Sequence, residues 1–281
     1  MVSTDPKHVL GGLSGHVALI TGGGRGLGRA FAQALVVAGV NVALTARTER
    51  ELDETHALIT ATGGTARVFP ADVTDRHAME QVVDSVVKQF GPIDILVNNA
   101  AVVTPLGYDW DIDPDTWWHT MEINVRGAYL CAHLVLPAMI QRGSGRIINV
   151  TSGAAHTVHP YGTAYCTSKA ALSQWTNLLA AAVQEYGISV FALAPAGPTA
   201  MLQTLATSPN VPKEVSAFFQ AALEEGGSGI QDSVRLLMAL VSGQADRLTG
   251  RHISHDDSID DLLRRTDDIV QQDLYTLRLR V

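Results

Sequence analysis

Tyr165 and Lys169 lie four residues apart in the run Tyr165-Cys166-Thr167-Ser168-Lys169. That spacing puts both side chains on one face of a helix, a turn apart. A free phenol titrates at about 10, too high for ready proton exchange at neutral pH. A neighbouring ammonium favours the phenolate and lowers that value, and proton transfer works best when the pKa lies near the working pH. Ser152 stands thirteen residues upstream, at the end of the apolar run Arg146-Ile147-Ile148-Asn149-Val150-Thr151. A hydroxyl at a strand tip, then a loop, then a helix carrying Tyr and Lys could converge on one substrate oxygen. The same Tyr–Lys spacing also describes an ordinary surface pair. Cys166 adjoins Tyr165 but points to another side of its helix, so it takes no catalytic role.

The elements that would position these groups begin with Val17-Ala18-Leu19-Ile20, a short apolar run opening into Thr21-Gly22-Gly23-Gly24-Arg25-Gly26-Leu27-Gly28. Phe31, Ala34, Leu35 and Ala38 then follow a helical period that Gly39 ends. Strand, glycine turn and helix N-terminus together form a site for a pyrophosphate: the backbone approaches closely and the first N–H groups are free. The spacing is Thr-Gly-x-x-x-Gly-x-Gly, not the usual Gly-x-Gly-x-x-Gly, and a plain glycine-rich turn is the other reading. The second strand, Val40 to Thr45, ends at Ala46-Arg47. A carboxylate there would bind an adenosine ribose 2′-hydroxyl, whereas an arginine accommodates a 2′-phosphate. With Arg25 as a second cation in the glycine turn, NADP is preferred over NAD. Both arginines could instead be merely solvated.

A helix from about Glu49 to Thr62 leads through Gly63-Gly64 to a strand at Ala66 to Phe69 and then to Asp72-Val73. Asp72 could meet an adenine amine or cap the next helix, and its spacing favours the cap. That helix, Arg76 to Phe90, stops at Gly91-Pro92. Strand Ile93 to Val97 runs into Asn98-Asn99-Ala100-Ala101, whose amides could bridge neighbouring strand ends or serve as turn residues. Asp113 caps a long helix with Pro114 at its first position, reaching about Arg142. Within it, Trp117 and Trp118 read as core or subunit contacts. Asn124 reads as a satisfied core amide or as a kink that holds a water. His156 and His159 in the loop of residues 153–164 could line a pocket or sit on the surface. The Tyr165 helix continues to Tyr186 and Gly187. Strand Ile188 to Leu193 closes with Ala194-Pro195-Ala196-Gly197-Pro198-Thr199. This βα alternation, with continuously apolar strands, predicts an α/β fold: a doubly wound, Rossmann-like parallel sheet. Ligands then sit beyond the strand C-termini, where the glycine turn, Arg47, Asp72, Asn98, Ser152 and Pro195 all fall.

With 46% hydrophobic and 17% charged residues the 281-residue chain is a core-forming one, and its formal net charge of −8 argues against nucleic-acid or anionic-membrane partners. Cys131 and Cys166 make no disulfide framework and suit a reducing cytoplasm. Residues 1–12 read as a loose tail without signal-peptide character, and no apolar run approaches the length of a membrane span. A single domain is expected over residues 13–255, with a C-terminal helical extension over 256–281.

Taken in order, Thr21-Gly22-x-x-x-Gly26-x-Gly28, Asp72-Val73, Asn98-Asn99-Ala100, Asn124, Ser152, Tyr165-x-x-x-Lys169 and the Pro195 segment resemble the short-chain dehydrogenase/reductase family over about Leu13 to Gly250. The resemblance implies roles. Tyr165 exchanges the proton at the substrate oxygen, and Ser152 hydrogen-bonds that oxygen. Lys169 binds the nicotinamide ribose and lowers the Tyr165 pKa. Asn124 holds a water in a proton relay behind Lys169. Asp72, with Val73, meets the adenine. Thr21, Gly22, Gly24, Arg25, Gly26, Leu27, Gly28, Arg47, Asn98, Asn99 and Ala100 contact the cofactor. Pro195, Gly197 and Thr199 flank the nicotinamide amide. It further implies hydride transfer between NADP(H) and a secondary alcohol or ketone, and a homodimer or homotetramer.

There are departures from the family pattern. Asn-Asn-Ala-Gly becomes Asn-Asn-Ala-Ala. Pro-Gly becomes Pro195-Ala196-Gly197-Pro198. The usual Asp-Gly-Gly is replaced by Arg251-His252-Ile253-Ser254-His255-Asp256-Asp257, whose histidines and aspartates resemble a metal site without fixed geometry; no metal is expected. Ile259, Leu262, Leu263, Thr266, Ile269 and Val270, then Leu274 and Leu277, form a helical stripe that must be buried, near the substrate mouth or on a neighbouring subunit. Residues 197–225, with Met201, Leu202, Leu205, Phe218 and Phe219, read as an apolar lid that suits a bulky, apolar carbonyl substrate. A non-catalytic NADP-binding sensor or scaffold, and a dehydratase or epimerase on the same fold, are the alternatives. The intact Ser152, Tyr165 and Lys169 speak against a pure binder.

Overall fold

A computed structural model describes residues 11–196, 206–207, 213–224 and 229–278. At its centre is a sheet of seven strands in the order β3-β2-β1-β4-β5-β6-β7. These are β1 (Val17–Thr21), β2 (Asn41–Ala46), β3 (Ala66–Pro70), β4 (Ile95–Asn98), β5 (Gly145–Val150), β6 (Ile188–Ala194) and β7 (His252–Ser254). Every pairing is parallel, with Ala18 opposite Val42 on one side and Ile95 on the other. Every residue of β1 and of β6 is buried, which is why these strands are apolar but for Thr21 and Ser189 and do not alternate. The strand order reverses between β1 and β4, and a crevice opens there beyond the strand ends.

Helices cover both faces. On one, α1 (Gly26–Val37) buries Phe31, Ala32 and Leu35 beside Leu52 and Ile59 of α2 (Glu49–Ala61) and Leu236, Leu237 and Leu240 of α8 (Ile230–Val241). On the other lie α3 (Arg76–Phe90), α5 (Ala128–Arg142) and α6 (Thr163–Val183). The helix α7 (Lys213–Glu224) falls in the expected lid. Gly197, Thr199, Met201, Leu202 and Leu205 lie outside the described residues, as do the side chains of Phe218 and Phe219.

Three sequence expectations are corrected. The cap of α3 is Asp75, whose carboxylate accepts the Ala78 N–H at 3.0 Å; Asp72 lies too early and closes a turn of its own. The helix expected from Asp113 to Arg142 is in three pieces: α4 (Pro114–Met121), capped by Asp113, a π-helical segment (Glu122–Gly127), and α5. Its polar residue Asn124 falls inside the π turn, a common place for a functional side chain. The continuous helical run Pro114–Arg142, 29 residues long with an 18-residue window of mean hydropathy 1.3, is also long and apolar enough to cross a membrane, contrary to the reading of the sequence. It packs on the sheet instead: half of its apolar window is buried, as in a core helix.

The C-terminal stripe forms α9 (Ile259–Arg264) and α10 (Thr266–Gln271). It packs on its own chain. Leu262 and Ile269 join the same core cluster as α1 and α8, while Val270 is exposed. A large-to-small change at a fully buried site loses transfer energy and leaves a cavity. Ile269→Ala should therefore cost about 2–5 kcal/mol in urea unfolding. Val270→Ala should cost less than about 0.5 kcal/mol. Equal, small losses would show that the segment does not belong to the core.

Candidate active site

The crevice is a cleft of about 250 Å³ running from the glycine turn to Tyr165 and Lys169. Its floor at the glycine end is set by close approach. A Cβ on Gly28 would come within 2.2 Å of the Gly22 carbonyl oxygen, so no side chain fits there. Gly26 has φ +54 with open space around its Cβ position, so there the left-handed backbone requires the glycine. Arg25, the N-cap of α1, makes no side-chain cap, so no side chain of the cap residue takes up the helix's first N–H groups, which suits an anion. The outside of the turn is pinned by Arg29, whose guanidinium donates to the Gly24 carbonyl at 2.6 Å, and by Thr55, which donates to the same oxygen at 2.8 Å.

Thr21 and the two asparagines hold the neighbouring strand ends together. The Thr21 hydroxyl accepts the Asn99 and Ala100 N–H groups, each at 3.0 Å. The Asn99 amide donates to the Thr21 and Gly22 carbonyls at 2.9 and 3.1 Å. Asn99 and Ala100 line the cleft, as do Gly22, Gly24, Arg25, Gly26, Leu27, Arg47, Asp72, Val73 and Pro195. Asn98 does not. It is buried and donates to the Asn149 side chain at 2.9 Å and to the Ala128 carbonyl at 3.3 Å, so its expected place among cofactor contacts is corrected to an interior brace. Thr21 and Gly28 likewise act from beneath the surface.

At the β2 tip Arg47 is 62% exposed, with its Nη1 3.8 Å from an Asp72 carboxylate oxygen. Arg25 stands 3.6 Å from Glu51. Asp72 also accepts the Thr74 N–H and hydroxyl at 2.9 and 2.7 Å. Burial works to raise its carboxyl, but the Thr74 bonds and the charges of Arg47 and His119 outweigh it and leave the pKa lowered.

At the other end, α6 carries Tyr165 and Lys169 into the cleft, and the loop after β5 brings Ser152 into hydrogen-bonding contact with Tyr165. Ser152 also accepts the Ala154 N–H at 3.2 Å. Lys169 is 2% exposed; its ammonium donates to the Val150 carbonyl at 2.8 Å and lies 5.6 Å from the Tyr165 ring centre. Burial lowers the Lys169 pKa to about 7. Burial also raises the Tyr165 phenol above its ordinary value, the Ser152 bond opposing it and the nearby Cys166 adding to it. The expected lowering of Tyr165 by Lys169 is thus not what the pair shows: desolvation penalises the charged form of both groups, and the Lys169 charge is not among the influences on the phenol.

Asn124 is braced by three hydrogen bonds. Its oxygen accepts the Val102 N–H at 2.9 Å, and its amide donates to the Val102 carbonyl at 2.8 Å and to Ser168 at 2.9 Å. Ser168, fully buried, donates in turn to the Tyr165 carbonyl at 2.7 Å. Sequence reasoning missed Ser168, Arg29 and Thr151. The Thr151 hydroxyl is a buried atom without a partner in the cleft wall beside Lys169. Only its place next to Ser152 could have drawn attention to it. The glycine cradle, the uncapped helix end and this orphaned hydroxyl all fit a dinucleotide.

The histidines lie to one side. The His156 and His252 rings meet edge-on at 4.8 Å, and Ser173 is 2.9 Å from the His252 Nδ1. Burial, with the His156 charge, pushes His252 down to about 4. His255 pairs with Asp256. Among the described residues no group of three or more His, Cys, Asp or Glu side chains could hold a metal ion.

The short chain dehydrogenase family model matches residues 16–209. A short chain dehydrogenase of Pseudocercospora fijiensis (strain CIRAD86) is 41% identical over 192 residues, 68% of this chain and 62% of that protein, so the match spans less than two thirds of the relative. The structure of an NAD+-bound xylitol dehydrogenase is similar at a TM-score of 0.79 and 29% identity, covering 86% of this chain and 98% of that one. A gluconate 5-dehydrogenase from Burkholderia cenocepacia J2315, in complex with NADP and tartrate, is similar at 0.77 and 28%, covering 88% and 96%. The chain belongs to the short-chain dehydrogenase/reductase family of NAD(P)-binding oxidoreductases.

Proposed function

We propose that this chain transfers a hydride between NADP(H) and a secondary alcohol or ketone, with Tyr165 as general acid and base. The observation that carries the reading is the meeting of Ser152, Tyr165 and Lys169 at one end of a cleft whose other end is a glycine turn beside Arg25 and Arg47. The dinucleotide, when bound, supplies the redox chemistry. The Ser152 hydroxyl holds the substrate oxygen. The Tyr165 phenol gives that oxygen a proton in reduction and takes it back in oxidation. Lys169, with a pKa of about 7, changes charge near neutrality. An anionic ligand in the cleft would favour its ammonium form, which then steadies a developing phenolate. Ser168 and Asn124 fix the helix that carries both groups.

The preference for NADP rests on Arg47 at the strand tip, where no carboxylate precedes it. Asp72 competes for that guanidinium, and NAD is the weaker alternative. The apolar Val102 and Ile123 in the cleft wall support a bulky, apolar carbonyl substrate. The free thiols of Cys131 and Cys166 fit a cytoplasmic setting. The exposed Tyr129 and Leu178 on α5 and α6 support a homo-oligomer.

Three outcomes are expected. Tyr165→Phe should bind NADPH normally, read by fluorescence, and lose turnover of a carbonyl panel by about 100-fold or more; retained turnover would remove Tyr165 from its role. Arg47→Ala should weaken NADPH binding about tenfold, on the order of 1.4 kcal/mol, and leave NADH binding unchanged; an equal loss for both would point to NAD. The third concerns stability. The folded pKa of Lys169, about 7, lies below the ordinary lysine value of 10.5, so between these values the unfolded chain holds a proton that the folded chain lacks. Its contribution to stability is full above the upper value and is lost as pH falls towards the lower one. Urea unfolding at neutral and at alkaline pH should show wild-type stability rising with pH, and Lys169→Met should flatten that rise. An unchanged slope in the variant would mean that Lys169 keeps its proton in the folded chain.

A further inference from the structure

The histidines of the last strand are not used by the reaction proposed above, yet one of them reaches the loop that carries Ser152. Tyr165 and Lys169 share one face of α6, and the next residue on that face at the same spacing is Ser173. Ser173 is buried, and its hydroxyl lies 2.9 Å from Nδ1 of His252 in β7. The His252 N–H donates to the Tyr275 carbonyl at 2.8 Å, so the C-terminal extension fixes this residue as well as the sheet does. The other ring nitrogen, Nε2, is buried without a partner. With its pKa pushed down to about 4, chiefly by burial, this imidazole is neutral at physiological pH. The ring of His156 meets it edge-on, at 4.8 Å with 74° between the planes. Since His252 is neutral, the contact is one between rings and not an ion pair.

His156 ends the turn that begins at Ser152. Gly153–Ala155 is a single turn of 3-10 helix with Ser152 as its N-cap. The Ala155 N–H donates to the Ser152 carbonyl at 3.0 Å, and the His156 N–H donates to the Gly153 carbonyl at 3.2 Å. The Thr157 hydroxyl donates to that same Gly153 carbonyl at 3.1 Å. Ala155 is buried, which anchors the middle of the turn. Ser152 and His156 are thus two ends of one stiff piece, and a shift of the second moves the first. The Ser152 hydroxyl meets both the Ala154 N–H and Tyr165, and how well it meets the phenol depends on how that piece is seated. The His156 residue is exposed, so its ring is not there to fill a core.

We infer that His156 and His252 are positioning residues: the His156 ring, resting on the His252 ring that Ser173 holds, sets the Ser152 hydroxyl against Tyr165. The contact ties the loop of Ser152 to the helix face that bears Tyr165 and Lys169, so hydroxyl and phenol are held to one rigid body. Neither imidazole lines the cleft itself. The inference rests on the role given to Ser152 in the reaction proposed above. It also gives the C-terminal extension a route to the site, from the Tyr275 carbonyl through His252 and His156.

The test is a double-mutant cycle in the full chain, read as kcat for a carbonyl panel with NADPH. His156→Ala should lower kcat about three- to tenfold and leave NADPH fluorescence binding and the urea midpoint unchanged. In a Ser152→Ala background the same change should cost nothing further, because a residue that acts only through a hydroxyl has no effect once that hydroxyl is gone. His156→Phe, which keeps a ring and loses both nitrogens, should restore kcat, and His156→Gln should not. An equal loss from His156→Ala in both backgrounds would mean a general structural role and would overturn the proposal. So would wild-type kcat in His156→Ala, or rescue by Gln in place of Phe. Should circular dichroism show His156→Ala unfolded, Ser173→Ala releases the His252 ring instead, and the same cycle applies. Full turnover in Ser152→Ala would remove Ser152 from the reaction and this inference with it. Impaired Ser152→Ala beside unimpaired His156→Ala would remove the positioning role alone.

Discussion

A lysine ammonium taken out of water is the constraint on which the site depends. Lys169 keeps 2% of its surface exposed and has one carbonyl, that of Val150, within reach at 2.8 Å. Isolating a charge in this way is expensive, and the group answers by giving up its proton near neutrality. The same dryness holds the Tyr165 phenol protonated. Burial thus disfavours the charged form of both side chains, and an arriving negative charge would favour the ammonium. Only a rigid surround keeps a lysine in such a place, so the packing of α6 on β5 and β6 is as much a part of the chemistry as the hydroxyls.

That surround is polar as well as apolar. Thr21 and Asn99 tie β1 to β4 at the point where the strand order reverses, and they set the glycine turn against the strand that follows. One layer deeper, Asn98 donates to Asn149, and Asn149 donates to Thr176 of α6 at 2.9 Å. A line of polar side chains thus runs across the sheet from the glycine-turn side of the cleft to the helix bearing Tyr165. Buried polar chains of this kind specify one arrangement, because each slipped alternative strands a donor in an apolar interior.

Much of this was legible in the chain. Continuous apolar runs, such as Val17 to Ile20 in β1 and Val190 to Ala194 in β6, suit buried parallel strands, and the Phe31 and Leu35 period suits a helix lying on them. That Tyr165 and Lys169 share a side was legible for the same local reason: four residues along a helix fix a direction. What could not be read is whatever depends on which way a side chain turns at a strand end. Asn98 and Asn99 are neighbours of identical type, yet one faces inward and the other the cleft. The sign of the Tyr165 shift was hidden because pair distance follows from sequence but desolvation does not. The π turn was hidden because its apolar residues continue the pattern of the helices on either side. The packing of Leu262 and Ile269 on their own chain was a matter of tertiary reach that no period encodes.

The π turn carries a consequence for how such a protein could diverge. It sets Ile123, which touches the cleft, next to Asn124, which grips Val102 and the helix of Tyr165 through Ser168. A residue of the cleft wall and a buttress of the helix bearing Tyr165 are thus consecutive in a single wide turn of backbone. Exchanging the first for a larger or smaller group would tilt the second. New substrate ranges in this lineage are then easier to reach by changing the loops around the entrance than by recarving the wall itself.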